Sequence, residues 1–293
     1  MKKHWITKAA GLMLLALTLL AGSTSTLKAE ETAELPETFA IYISGIDVFG
    51  DVETQSRSDV NLLMAVNRTE GKIQVVNTPR DYYVELPISN GMRDKLTHAG
   101  IYGVDVSKGA LEMLYGIHVD YYARLNFSSF QTIIDALGGI DVYSEFPFEA
   151  EGYGYSEGMN HLNGAQALAF VRERKSFEAG DVQRGKNQME MLKSLIERLG
   201  TFDGLNSVAA VYDEVASCVE TNLTKEMLLA IAAEQVVNGR TWDYETYYVT
   251  GESGNEVTYS IPDATAYVMW PHEDEVAEGR EKLLAVLGDA ASL

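Results

Sequence analysis

Short apolar runs and longer stretches of helical spacing alternate along this chain. Phe39 to Ile46 (FAIYISGI), Asp59 to Val66 and Lys72 to Asn77 are apolar and rich in β-formers, and read as strands. Asn67 to Gly71 (NRTEG) is a tight-turn sequence that predicts a hairpin between the last two. Val106 to Tyr115 has helical spacing and stops at Gly116, and Tyr121 to Asn126 predicts a short strand. Asn126 or Ser128 can cap a helix that runs to Leu137 and ends on Gly138-Gly139, ahead of a strand from Ile140 to Tyr143. Gly152 to Gly158 reads as a loop rich in Gly and Tyr, and Gly164 to Val171 and Asp181 to Leu199 as helices. Further helices are expected near 205–217, 224–237 and 273–287, with a strand at Trp242 to Val249. Strands mixed with crossover helices predict an α/β fold: a single α/β/α-layered domain whose mixed central sheet is flanked by helices on both faces.

Composition narrows the function classes. The chain has 293 residues, 46% hydrophobic and 23% charged, which suits a globular domain with a sizeable core. Its formal charge of −20 repels nucleic acid, and no basic recognition helix is visible, so a nucleic-acid partner is not expected. The single Cys218 excludes an internal disulfide and a cysteine-based metal cluster. Residues 1–29 have the basic start (Lys2, Lys3, Lys8), apolar run (Ala9 to Ala21) and Leu27-Lys28-Ala29 site of a signal peptide, or else of a retained N-terminal anchor. Residues 30–38 read as a linker and 39–293 as the folded domain. Export removes ATP from consideration, so phosphoryl chemistry there needs a substrate that arrives already activated.

Three stretches concentrate Arg and Asp. Asp47 closes the first strand in Ser44-Gly45-Ile46-Asp47, and Arg57-Ser58-Asp59 opens the second, with Arg57 and Asp59 on one face if the segment is extended. Two carboxylates at one sheet edge suit a hard divalent cation completed by water and phosphate oxygens; the alternative is an ordinary turn with surface ion pairs. Pro79 in Thr78-Pro79-Arg80-Asp81 ends a strand and leaves Arg80 where α/β sheets open their ligand crevices, or in a local pair with Asp81. Arg172-Glu173-Arg174-Lys175 precedes Asp181, Arg184, Lys186 and Gln188, and Arg184 and Gln188 share a helical face. A basic cluster on so acidic a protein suggests an anion site. Arg80, Arg172, Arg174 and Arg184 are then expected to converge on one pyrophosphate-sized volume; otherwise each pairs with a nearby acid such as Glu173, Glu178 or Asp181. His98 is a lone candidate base, more commonly structural, and Tyr153 to Tyr155 a candidate sugar contact.

Taken together these segments resemble the LytR-CpsA-Psr family of bacterial cell-wall enzymes. Matching stretches are Ser44 to Asp47, Arg57 to Asp59, Thr78 to Asp81, Asp94-Lys95-Leu96-Thr97-His98-Ala99, Asn126 to Phe130, Asp135 to Val142, Leu162 to Arg174, and Asp181 through Arg184 to Gln188. Their order and spacing both fit, with the motif core at 39–199.

The resemblance implies an extracytoplasmic, lipid-linked phosphotransferase, secreted or at the outer face of the cytoplasmic membrane. It would move an anionic glycopolymer of teichoic acid or capsule type from undecaprenyl pyrophosphate to a peptidoglycan sugar hydroxyl. Asp47 and Asp59 would hold Mg²⁺, with Mn²⁺ as the alternative, and Arg57, Arg80, Arg172, Arg174, Arg184 and Gln188 would contact the pyrophosphate. Arg57, Asp59, Arg80, Arg172 and Arg174 are the implied catalytic set, and the polyprenyl tail would enter an apolar pocket in the domain interior. Two positions depart from the family pattern: Asn187 stands where another Arg is usual, leaving Lys186 as a substitute, and Val84 stands where many members carry a further Arg, leaving Arg93. Two rival readings remain open, a polyprenyl pyrophosphate phosphatase and a non-catalytic polyprenyl-lipid or wall-binding protein.

Overall fold

Alternation within the first three apolar runs builds a sheet with two buried faces. The structure is a computed structural model that describes residues 36–201, 219–227, 230–231, 242–288 and 291–293. Strands β1 (Thr38–Ile46), β2 (Ser58–Asn67) and β3 (Lys72–Asn77) run antiparallel to their chain neighbours. A small hairpin follows, β4 (Tyr83–Glu85) with β5 (Arg93–Lys95), and then helix α1 (Val104–Tyr115). Strand β6 (Tyr121–Leu125) lies parallel to β1 and leads into helix α2 (Phe127–Ala136). Next come β7 (Ile140–Ser144), β8 (Phe148–Ala150), β9 (Tyr153–Tyr155) and β10 (Gly158–Leu162), with β7 paired to β10 and β8 to β9. Helices α3 (Gly164–Arg172) and α4 (Asp181–Leu199) precede β11 (Glu220–Thr221) and β12 (Asp243–Tyr248). The described chain closes with a hairpin, β13 (Gly251–Thr258) and β14 (Ile261–Pro271), and helix α5 (Glu273–Leu287).

The main sheet has the order β11-β6-β1-β2-β3-β12 and mixes parallel and antiparallel pairs, as expected for this α/β class. On one face Tyr42, Leu63, Ala65 and Val76 pack against Leu111 and Tyr115 of α1 and Val276 and Leu283 of α5. On the other face Phe39, Ile41, Leu62, Met64 and Val75 meet Met189 of α4. A third apolar cluster joins α2, α3, β7 and β10 through Ile134, Ile140, Leu162 and Phe170, and takes Met191 from α4. Because α4 contributes to both of these clusters, it bridges the sheet and the α2–α3 layer. The described residues belong to one compact unit.

The elements differ from expectation in a few places. Asn126, not Ser128, caps α2: its side chain accepts from the Ser129 amide at 2.9 Å, and Ser129 Oγ accepts from the Asn126 amide at 2.8 Å. Part of the Gly/Tyr segment expected as a loop is strand β9, because Tyr155 turns inward and stacks on Phe148 at 4.5 Å. Tyr155 is buried there, its hydroxyl bonded to the Gln166 carbonyl at 2.7 Å, so it packs rather than meeting sugar. The 205–217 helix lies outside the described residues, as do the N-terminal segment 1–29 and most of the 224–237 helix. Among the described residues no helix is long and apolar enough to cross a membrane.

Candidate active site

The site forms where β1 and β2 end together. Pairing between them slips at Gly45/Ile46: Gly45 faces Val60, whereas Ile46 faces Ser58, so Asp59 is the extra residue of a β-bulge. Strict alternation sends consecutive residues to opposite faces, and a bulge suspends it locally. Asp59 and Val60 therefore both line one cavity, with Asp47 from the end of β1. The two carboxylates line this cavity from the adjoining ends of two central strands of the sheet. Arg57 precedes β2 and lies before the bulge; it is exposed and does not line the cavity.

This cavity, of about 370 Å³, lies between the sheet, α2, α3 and α4. Its depth is apolar, walled by Ile43, Leu62, Phe130, Leu168, Met191 and Leu195. Around Asp47 and Asp59 stand Arg80, Arg172, Arg174, Arg184 and Gln188, which the sequence placed together. Arg172 is the last residue of α3, and Glu173 turns extended (ψ 134°), so Arg172 and Arg174 both reach the cavity. Arg184 and Gln188 share the inward face of α4. That helix approaches closely at Gly185, where a Cβ would lie 2.3 Å from the Tyr248 ring.

Convergence and local pairing occur together, although the sequence posed them as alternatives. Arg80 Nη1 donates to Asp59 Oδ2 at 2.7 Å, and Arg172 Nη1 to Glu151 Oε1 at 2.7 Å. Arg174 and Arg184 share Asp181, at 3.6 and 3.3 Å. The Arg172 partner is thus Glu151, not one of the expected acids. Arg172 also lies 4.5 Å over the Phe127 ring, a cation–π contact that holds its plane. Burial opposes the charge on Arg80, but Asp59, Asp81 and Asp181 outweigh it and hold the guanidinium above its ordinary value. Arg184 is 13% exposed; burial, despite Asp181 and with Arg80 and Arg174 adding repulsion, pulls it below its ordinary value. Such a guanidinium gains most from an arriving anion.

Residues missed as functional brace this cluster. Thr97 Oγ1 donates to Asp59 Oδ1 at 3.1 Å while its amide donates to the Arg80 carbonyl at 2.8 Å. Lys95 Nζ holds Asp81 Oδ1 at 2.9 Å, and Asp81 Oδ2 lies 3.6 Å from Arg80 Nε. Asp94 is fully buried and bonds His98 Nδ1 at 2.7 Å and the Ser260 amide at 3.0 Å. His98 is therefore a packed structural histidine away from the cavity wall, not a base in the site. Arg124 is buried; it pairs with Glu220 at 2.8 Å and donates to the Thr54 carbonyl at 2.7 Å, fixing the loop that carries Asp47. A lone Arg inside an apolar strand was the available signal.

The two departures resolve differently from expectation. Asn187 is buried, accepts from Gln183 at 3.2 Å and donates to the Phe170 carbonyl at 3.5 Å, so it serves helix packing. Lys186 pairs with Glu145 at 3.6 Å and Arg93 packs over the rings of Tyr83 and Trp270; neither lines the cavity. Val84 is core. The arginines lost at those two positions thus have no substitute on the cavity wall.

The donor chemistry decides what a metal could use. Asp47 Oδ1 accepts from Ser56 Oγ at 2.7 Å, and each Asp59 oxygen accepts one hydrogen bond. Among the described residues no group of three His, Cys, Asp or Glu forms a ready-made metal site. Two carboxylates with lone pairs to spare still fit Mg²⁺, which takes much of its shell from water and substrate phosphate.

Comparison with known proteins agrees with this fold. The model of the LytR_cpsA_psr family matches residues 20–274. A relative from Bacillus mycoides (strain KBAB4), named polyisoprenyl-teichoic acid--peptidoglycan teichoic acid transferase TagU, is 34% identical over 201 residues, 68% of this chain. The matched stretch spans 65% of that relative's own length. Among solved structures, B. subtilis TagV superposes with TM-score 0.73 at 26% identity, covering 87% of this chain and 98% of TagV. A structure titled "TagT bound to LI-WTA" superposes with TM-score 0.68 at 26% identity, over 91% of this chain and 97% of its own.

Proposed function

The chain belongs to the LytR_cpsA_psr family, and from that premise we propose that it is a phosphotransferase acting outside the cytoplasmic membrane. It transfers an anionic glycopolymer from a polyprenyl pyrophosphate carrier to a sugar hydroxyl of peptidoglycan. The observation that carries the reading is the junction of two chemistries in one cavity, arginines at the polar end and an apolar interior behind them. A pyrophosphate-headed isoprenoid has the same two parts in the same order. Its tail gains roughly 25 cal/mol for each Å² of apolar surface taken from water. A cavity of about 370 Å³ covers only part of a long chain, and the rest stays outside.

The polymer-bearing phosphorus sits among Arg80, Arg172, Arg174 and Arg184, whose forks neutralise charge on the equatorial oxygens during transfer. The acceptor hydroxyl, giving up its proton to solvent, forms the new P–O bond as the anhydride P–O bond breaks, and polyprenyl phosphate leaves with the electron pair. Asp47 and Asp59 would hold Mg²⁺, or Mn²⁺, which supplies further charge neutralisation at the pyrophosphate. Thr97 and Lys95 keep Asp59 and Asp81 oriented, so Arg80 is preorganised before substrate binds.

The test is a product assay with polyprenyl pyrophosphate-linked polymer, with and without a glycan acceptor. Transfer predicts a polymer–glycan phosphodiester that forms only with acceptor. Equal release of free polymer phosphate in both arms would instead establish a phosphatase. Tight lipid binding with no turnover, even with divalent cation, would establish a carrier protein.

A further inference from the structure

The β13–β14 hairpin was absent from the sequence expectations and has no part in the donor site. Directly paired residues of an antiparallel ladder share a face. One face therefore carries Ser253 with Met269, Asn255 with Tyr267, and Val257 with Thr265; the other carries Glu252 with Trp270 and Glu256 with Ala266. Met269 packs against the core, and Ser253, Asn255, Val257, Thr265 and Tyr267 are exposed and uncharged, with Asp263 as the acid that precedes them on β14. On a chain of net charge −20 that is an unusual surface.

Its aromatic is fixed in place. Tyr267 is 43% exposed, and its hydroxyl lies 3.1 Å from Ser253 Oγ. The hairpin is pinned at both ends, the Met269 amide to the Asp81 carbonyl at 2.7 Å and the Tyr259 amide to the Arg93 carbonyl at 3.0 Å. One route connects this face to the arginines. Lys95 Nζ lies 5.5 Å from the Tyr267 ring centre and 2.9 Å from Asp81, the neighbour of Arg80.

We infer that this face is the docking platform for the acceptor, a neutral glycan strand laid across Tyr267 with its reactive hydroxyl directed towards Arg80. The inference rests on the transferase reading above. Hydroxyl and amide side chains around a rigid, half-exposed ring match a sugar, which offers apolar C–H faces and hydroxyl edges. An anionic polymer would find no cation on this face beyond Lys95, and a lipid tail would find Val257 alone among polar groups.

Titrating the full chain with a neutral chito-oligosaccharide, beside a separate titration with polyprenyl pyrophosphate, tests the platform. Tyr267→Ala should bind the oligosaccharide about thirtyfold more weakly, the size of an aromatic hot-spot truncation. Its affinity for the lipid should match wild type, which also reports an intact fold. Tyr267→Phe should keep most of the glycan affinity, and Glu252→Gln, on the opposite face, should keep all of it. Raising the salt concentration should leave glycan binding unchanged, because no charge is paired. Equal glycan binding by Tyr267→Ala and wild type overturns the platform, as does wild type that binds lipid but no glycan. Loss of lipid binding by wild type would instead overturn the transferase reading.

Discussion

At the scale of single residues, the site is a set of arginines that converge on one cavity while each keeps a carboxylate partner. Arg80 and Arg184 are largely covered, at 25% and 13% side-chain exposure, whereas Arg172 and Arg174 are 42% and 47% exposed. An exposed pair contributes about 0–1 kcal/mol, so losing the 3.6 Å contact to Asp181 costs Arg174→Ala little. That variant should melt within a few degrees of wild type without lipid, yet show a reduced melting shift with polyprenyl pyrophosphate. An identical ligand shift in both proteins removes Arg174 from the site. Thr97→Val deletes one hydroxyl while keeping its shape; a hydrogen bond to a charged group is worth about 1.5–3 kcal/mol, so kcat/KM should fall by about tenfold or more. Asp94 contributes through pH. Burial alone would raise its pKa, but hydrogen bonds from His98 and Ser260 hold it below the ordinary range. Its stabilisation is complete above the unfolded value of about 3.9 and is lost as pH falls through the lowered folded value. The melting-temperature gap between wild type and Asp94→Asn should therefore be constant near neutrality and narrow below about pH 4. A gap independent of pH would contradict that role. The grouping of Asp47, Asp59, Arg80, Arg172, Arg174 and Arg184 was legible through the family resemblance of their short motifs, whereas Arg57, in one of the same motifs, stands outside the cavity. Thr97, Lys95 and Arg124 were not read as functional, since their partners lie 38, 14 and 96 residues away.

Among the elements, α4 has the strictest placement. Gly185 lets the helix lie against Tyr248 and Asn77, and Arg184 and Gln188 flank that contact on the cavity side. Gly185→Ala gains up to about 1 kcal/mol of helix propensity, against about 1–3 kcal/mol for overpacking, and the rigid ring cannot give way. The balance is a net loss, and a chain of this size shifts by about 2–4 °C per kcal/mol. Melting should drop by a few degrees and lipid affinity should fall with it. A stabilised Gly185→Ala would show that the helix stands off the sheet. Helices α4 and α5 were legible to the residue, and β1 to β3 to within one, because their apolar periodicity is long and uninterrupted. The β13–β14 hairpin escaped for the opposite reason: GESGNEVT places polar residues on both faces, so neither face carries a periodic apolar signal. Bulged Asp59 also escaped, since a two-residue period cannot foretell where pairing slips.

For the whole molecule, the fold sets an apolar cavity between the sheet and α4 on one side and the α2–α3 layer on the other, and gathers positive charge at its polar end. A net charge of −20 disfavours an anionic polymer in general, so under the proposed reading the arginines are its point of capture. The central claim is that this cavity holds an isoprenoid pyrophosphate. It is tested most directly by native mass spectrometry of lipid carried by the full chain purified from a cell-wall-bearing bacterium, for wild type and Leu168→Trp, whose larger ring occupies the cavity. The account predicts a polyprenyl phosphate or pyrophosphate bound to wild type and absent from a Leu168→Trp protein that melts near the wild-type temperature. Wild type free of isoprenoid lipid after supplementation with polyprenyl pyrophosphate, or a folded Leu168→Trp that carries the same lipid, would contradict it.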